Sequence, residues 1–185
     1  MGSVSSTYSN TFAPLFNKVE KKRITIVGVD SAGKSTMLQQ MNLGDIVLTI
    51  PTIGFNVEAV DFKNIQFINF DLGGGDKIRP LWKHYYQGSV GLVFVIDSVD
   101  RERIYENVDW IEWVLGQNEL RDCPVLFLAN KQDDPKAMPL AEIPVKFELN
   151  RIRSHKWHLQ GTCGLSGTGV KEGFEWLVTT ICEDF

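Results

Sequence analysis

The sequence predicts an α/β fold, a doubly wound and mostly parallel sheet with helices on both faces. Short apolar runs rich in β-branched residues alternate with helical stretches, the pattern of parallel sheets built from crossover units. Several of these runs are apolar throughout rather than at every second residue, as strands buried on both faces are. Polar motifs stand at the carboxyl ends of the runs, where open α/β sheets bind their ligands. A chain of 185 residues is long enough for one domain with a substantial core. The organisation expected is an extension over residues 1–20 followed by one domain over 21–185.

Residues 1–11, MGSVSSTYSNT, are small and polar and are expected to carry little regular structure. Phe12, Leu15, Phe16 and Val19 then recur at the spacing of one helix face. Pro14 is tolerated in the first turn of such a helix, and Lys18, Lys21, Lys22 and Arg23 make a basic cluster beside it. ITIVGV (24–29) is the first core strand, followed by a helix to about residue 42. VEAVDF (57–62) and IQFINF (65–70) flank Lys63-Asn64 and predict a hairpin. VGLVFVID (90–97) and PVLFLANK (124–131) are buried strands separated by a helix over roughly 101–118. A further helix is expected near 140–149, a sixth strand at WHLQGTC (157–163), and a last helix over 169–182 with Val170, Phe174, Leu177, Val178 and Ile181 on one face.

Composition excludes some function classes. The chain is 43% hydrophobic and 23% charged, with a formal net charge of −4, whereas a surface that coats nucleic acid needs a basic excess. Cys123, Cys163 and Cys182 are odd in number and form no CxxC pair, so neither a disulfide frame nor a zinc site is expected, and the chain suits a reducing, intracellular setting. No run approaches the ~20 apolar residues of a membrane span. His84, His155 and His158 are scattered, and Trp110, Trp113, Trp157 and Trp176 read as packing residues. Arg101-Glu102-Arg103 reads as the solvated start of a helix.

Gly28-Val29-Asp30-Ser31-Ala32-Gly33-Lys34-Ser35-Thr36 fits the phosphate-loop pattern G-x-x-x-x-G-K-[ST] and lies between a strand and a helix, as that motif requires. Its glycines let backbone N–H groups turn onto one anion, Lys34 reaches the outer phosphates, and Ser35 offers a hydroxyl to Mg²⁺. Asp71 follows the strand ending at Phe70 and stands where a carboxylate holds the metal through water. In Asn130-Lys131-Gln132-Asp133 the carboxylate suits the N1–H and 2-amino group of guanine, Asn130 its N7, and the Lys131 stem its ring face. A base lacking those donors would leave Asp133 unpaired and lose roughly 10⁴-fold or more in preference. Cys163-Gly164, at the end of the last strand, is placed to offer backbone N–H to the guanine O6. The loop alone would also suit a small-molecule kinase, which does not explain Asn130–Asp133.

GVDSAGKST, PTIGFNVE, DLGGGDKIRPLW, VIDSVDRER, NELRDCPVLFLANKQD and the closing TCG-LSGTG together resemble the ADP-ribosylation factor (Arf) family of small GTPases over about residues 20–180. The resemblance implies a small-GTPase fold of six strands with one antiparallel interswitch strand. It implies a GTP/GDP switch with Mg²⁺, Thr52 sensing the γ-phosphate and the metal, and switches near 44–54 and 71–85 ordered by GTP. The hairpin 57–70 becomes an interswitch that shifts register with nucleotide, and Phe55, Phe70 and Tyr85 a patch read by effectors, with Phe70 where the family usually has Trp. Gly73 and Gly74 belong to D-x-G-G-Q-D, Gly74 meeting the γ-phosphate. Gly75 replaces the glutamine that orients the attacking water, which predicts impaired hydrolysis. The implied partners are an exchange factor, an activating protein supplying arginine, and coat or other effectors. A non-hydrolysing nucleotide-binding scaffold is the alternative. Met1-Gly2-Ser3-Val4-Ser5-Ser6 fits a myristoylation signal at Gly2. One such chain binds membranes only marginally, with K on the order of 10⁴ M⁻¹, so the amphipathic segment after it is the expected second anchor, placing the protein in the cytoplasm and reversibly on Golgi or other endomembranes.

Overall fold

The computed structural model describes residues 3–15, 22–41, 46–49, 57–62, 65–72 and 79–183. Among these residues seven strands form one sheet: β1 (Lys22–Val29), β2 (Ile46–Thr49), β3 (Val57–Phe62), β4 (Ile65–Leu72), β5 (Ser89–Asp97), β6 (Val125–Asn130) and β7 (Trp157–Gly161). Their order across the sheet is β2-β3-β4-β1-β5-β6-β7. β1 runs parallel to β4 and β5, β5 to β6, and β6 to β7, whereas β3 is antiparallel to both of its neighbours. The expected fold is therefore observed, with the interswitch strand reversed as the resemblance implies.

The strand absent from the sequence reading is β2, which adds the outermost ladder by pairing Ile46 with Val60 and Thr49 with Val57. Four residues are too few to show a period of their own, so pairing rather than pattern defines them. The central strands match their composition: β6 is buried at all six positions, and β5 is buried from Gly91 onward. Among the described residues six α-helices accompany the sheet: α1 (Ser3–Phe12), α2 (Lys34–Met41), α3 (Arg79–Tyr86), α4 (Ile104–Leu115), α5 (Ile143–Lys146) and α6 (Val170–Glu183). The tryptophans expected to pack do so. Trp82 of α3 lies 5.1 Å from Trp110 and 5.3 Å from Trp113 between ring centroids, and Trp176 stacks on His158 at 5.2 Å.

The N-terminal helix differs from the sequence reading. The polar stretch is itself helical, and a 3₁₀ turn at Ala13–Leu15 follows it. Tyr8, Thr11, Phe12 and Leu15 are all buried, spaced at i, i+3, i+4 and i+7. Phe12 is 0% exposed and meets Phe67 of β4 and Phe174 of α6 edge-on, at 5.3 and 5.5 Å. A serine-rich segment this short has too little propensity to hold a helix by itself. Docking supplies the rest, since each buried large apolar side chain contributes roughly 1.5–3 kcal/mol. Phe16 and Val19 lie outside the described residues.

Candidate functional site

The phosphate loop leaves β1 between two close approaches that only glycine permits. A Cβ on Gly28 would stand 2.4 Å from the Val95 carbonyl oxygen of β5. At Gly33, φ is +96°, and a Cβ would stand 2.3 Å from the side-chain nitrogen of Asn130. The second contact ties the loop to the Asn130–Asp133 motif a hundred residues away in the chain. Ser31 (φ 61°) and Lys131 (φ 66°) are two of the three described non-glycine residues with positive φ, and each lies in one of these motifs. Strain of this kind concentrates where a backbone must present itself to a ligand.

Lys34 is 3% exposed, and its Nζ donates to the carbonyl oxygens of Gly28 (2.8 Å) and Val29 (2.7 Å). The ammonium is thus folded back over the loop at the start of α2. Ser35 Oγ donates to Glu58 Oε2 of β3 at 2.6 Å, and Asn69 Nδ2 of β4 donates to the same carboxylate oxygen at 2.8 Å. Asn69 also donates to Ser35 Oγ at 3.3 Å, and its own Oδ1 is buried without a hydrogen-bond partner. The Ser35 hydroxyl and the Glu58 carboxylate are hard oxygen donors of the kind Mg²⁺ takes, so the residues here fit that ion, while Asn69 turns its NH2 group toward them. The backbone of Asp71 pairs with Gly28 across β4 and β1, which sets the start of the DLGGGD segment beside the loop.

Asn130 joins three segments. Its Nδ2 donates to Ala32 O at 2.8 Å, and its Oδ1 accepts from Gly164 N at 2.8 Å and Thr162 Oγ1 at 3.3 Å. Asn130 is thus a staple between the phosphate loop and the loop after β7, and its Nδ2, which spends one hydrogen on Ala32, keeps a second donor. The expected donors for O6 need correcting. Cys163 N donates to Thr168 O at 3.0 Å and Gly164 N to Asn130, so both N–H groups are consumed inside the protein by the tight turn that closes TCG-LSGTG. Lys131 Nζ is held by Asp97 Oδ2 at 2.6 Å, which stretches the lysine stem along the site. Asp133 is exposed and makes no hydrogen bond or ion pair with the described residues, leaving its carboxylate open to a ligand.

Arg103 corrects another expectation. Rather than facing solvent, its Nη1 donates to Asp30 Oδ1 at 2.7 Å, its Nη2 to Asp30 O at 3.1 Å, and its Nε to Asp100 Oδ2 at 2.5 Å. Burial favours the neutral acid at Asp100, but the hydrogen bonds and charge of Arg103 outweigh it and hold the carboxyl below the usual range. Arg101 pairs with Glu142 at 2.8 Å.

Phe70 is 1% exposed, enclosed by Trp82, Tyr86 and Tyr85 at 5.5, 5.6 and 6.2 Å, and Tyr85 is half-buried. Gly2, Thr52, Phe55, Gly73, Gly74 and Gly75 lie outside the described residues, as does the side chain of Asp71. The sequence reading missed Glu58, Asn69, Asp97 and Arg103. Asn69 carried a signal, a polar side chain interrupting the apolar run IQFINF; Arg103 carried none, because its partner lies 73 residues away.

Residues 8–181 match the ADP-ribosylation factor family. Among solved structures, the chain is similar to the Arl6 (BBS3) small GTPase from Trypanosoma brucei, which holds the nucleotide analogue GppNp. The two are 32% identical, with a TM-score of 0.72 over 89% of this chain and 99% of the other.

Proposed function

The chain belongs to the ADP-ribosylation factor family of small GTPases, and from that premise we propose that it attaches to membranes in its GTP form, recruits trafficking effectors there, and hydrolyses GTP poorly because of Gly75. As a member of the family it is a guanine-nucleotide switch that works with Mg²⁺ and with exchange factors, activating proteins and effectors. What supports the nucleotide part of the reading is the Asn130 staple, which stands three residues before the unclaimed carboxylate of Asp133 and ties the phosphate loop to the loop after β7; together they would form one nucleotide cleft.

Within that cleft, Lys34 and the loop amides would hold the outer phosphates, with Asp30, Ser31, Ala32, Gly33 and Thr36 shaping the cradle. Asp133 and the Lys131 stem would hold guanine. Ser35, with Thr52 and Asp71, would hold Mg²⁺, which when bound neutralises charge on the outer phosphates. Water attack on the γ-phosphate would be stabilised by these groups and by an arginine from the activating protein. Gly75 offers no side chain to orient that water.

The membrane arm rests on α1. Phe12 is seated against Phe67, and Phe67 belongs to the β3–β4 hairpin. A register shift of that hairpin on β1 would move Phe67, unseat α1, and turn Phe12 and Leu15 toward a bilayer beside a myristoylated Gly2. The same shift would alter the setting of Phe70, now buried, toward the effector patch it would form with Phe55 and Tyr85. The membranes concerned would be Golgi or other endomembranes.

Two experiments test these readings. Single-turnover hydrolysis of bound GTP, with and without an Arf activating protein, is expected to be slow in both cases and to be restored under stimulation by Gly75→Gln. Ready stimulated turnover of the unaltered chain would refute the role given to Gly75. Liposome flotation of the myristoylated protein is expected to favour the GTP-loaded form, and equal partitioning with GDP would refute nucleotide gating.

A further inference from the structure

We propose that Arg103 is a positioning residue of the nucleotide site: it neutralises the carboxylate of Asp30 and holds the phosphate loop in the shape that accepts the outer phosphates. The inference rests on the guanine-nucleotide reading above. It starts from a conflict in the sequence. A loop that must bind a polyanion carries an acidic residue, Asp30, directly after the two residues whose carbonyls receive the Lys34 ammonium. The lysine of such a loop serves the outer phosphates, so Asp30 would add negative charge to the segment that surrounds the most charged part of the ligand. Left alone, it would repel that ligand.

Arg103 answers this with two separate contacts. Nη1 meets the carboxylate at 2.7 Å, while Nη2 meets the backbone carbonyl of the same residue at 3.1 Å. The first contact supplies charge and the second fixes the loop. Only a planar fork makes both at once, with a third nitrogen free for Asp100, so lysine is not an equivalent replacement. The base of the arginine is itself fixed: Asp100 Oδ1 accepts from the backbone N–H of Glu102 (3.2 Å) and of Arg103 (3.1 Å), just before α4 begins. The result is a strut from the β5–α4 connection to the phosphate loop. Its position is not that of a stability element, since the Asp30 side chain is 68% exposed, and ion pairs this open contribute little to folding.

The test is the release of a fluorescent GDP analogue, in Mg²⁺, from the full chain and from Arg103→Ala, Asp30→Asn and the double variant. Asp30→Asn removes the charge and keeps the backbone carbonyl that Nη2 uses. Arg103→Ala is expected to speed release roughly tenfold, the order of a like-charge repulsion between groups a few ångströms apart at a solvated surface. The same arginine replacement made in the Asp30→Asn background should speed release by about threefold or less, leaving only the lost backbone contact. The effect of Arg103→Ala should also shrink as ionic strength rises from about 0.05 to about 0.5 M, where charges are screened within a few ångströms. Release within twofold of the unaltered chain would overturn the proposal. So would an acceleration equal in both backgrounds and indifferent to salt, which would make Arg103 a structural prop alone. If the unaltered chain fails to retain GDP in preference to ADP, the guanine reading itself is wrong and Arg103 falls with it.

Discussion

Replacing Phe12 by alanine should free α1 from the body of the protein while leaving the sheet intact. The side chain is fully buried, with its two aromatic neighbours on different elements, β4 and α6. Truncating a buried phenylalanine to alanine costs about 3–5 kcal/mol. Here nearly all of that cost falls on docking, because α1 packs on the body by one face. A loss of about 3 kcal/mol raises the undocked population on the order of a hundredfold. Hydrogen exchange reports this directly, since local opening and global unfolding separate by free energy. In the GDP-loaded protein, amides over 8–15 should exchange about a hundredfold faster in the variant, with those of β5 and β6 unchanged. Tyr105→Ala, at a position 85% exposed, is the control and should change neither. If the amides of α1 keep their protection, or lose it only together with β5 and β6, α1 is not the separately docked element described here.

Gly33→Ala should lower GDP affinity by a factor on the order of a hundred or more, because positive φ and overpacking each cost about 1–3 kcal/mol; equilibrium titration measures it. Asp97→Asn should speed nucleotide release several-fold with little change in melting temperature, because Lys131 loses the anchor that stretches its stem over the site; stopped-flow release from loaded protein checks this. Of the three free thiols, Cys123 is buried and pushed up to about 12 by burial and by Asp122, and Cys163 is also buried, whereas Cys182 is exposed. A thiol reagent at pH 8 should therefore modify one cysteine quickly. Raising the pH toward 10 should not recruit Cys123, whose thiolate stays scarce below its raised pKa.

Sheet type and site location were legible because both follow from local pattern. ITIVGV and PVLFLANK announce buried strands by composition, and each ends in its own motif. What escaped depends on pairing across the chain. β2 exists because Ile46–Thr49 meets Val57–Val60, and α1 is helical where a serine-rich stretch predicts little, because Phe67 of β4 and Phe174 of α6 receive Phe12 while Tyr8 and Leu15 are buried beside it. The motif residues themselves were found, but some of their tasks were not. Asn130 and the Gly164 amide bond each other across two loops, the Cys163 amide closes its own loop on Thr168, and no spacing rule announces such links.

The Asn130 staple bears on how a nucleotide leaves. One amide group holds the phosphate loop and the loop beyond β7, at 2.8 Å on each side. The two halves of the cleft are therefore not independent grips that let go in turn. Pulling Ala32 away strains the same side chain that anchors Gly164, so a force applied to the phosphate loop is felt in the loop beyond β7. A protein that opens this site has only to work on one end of it.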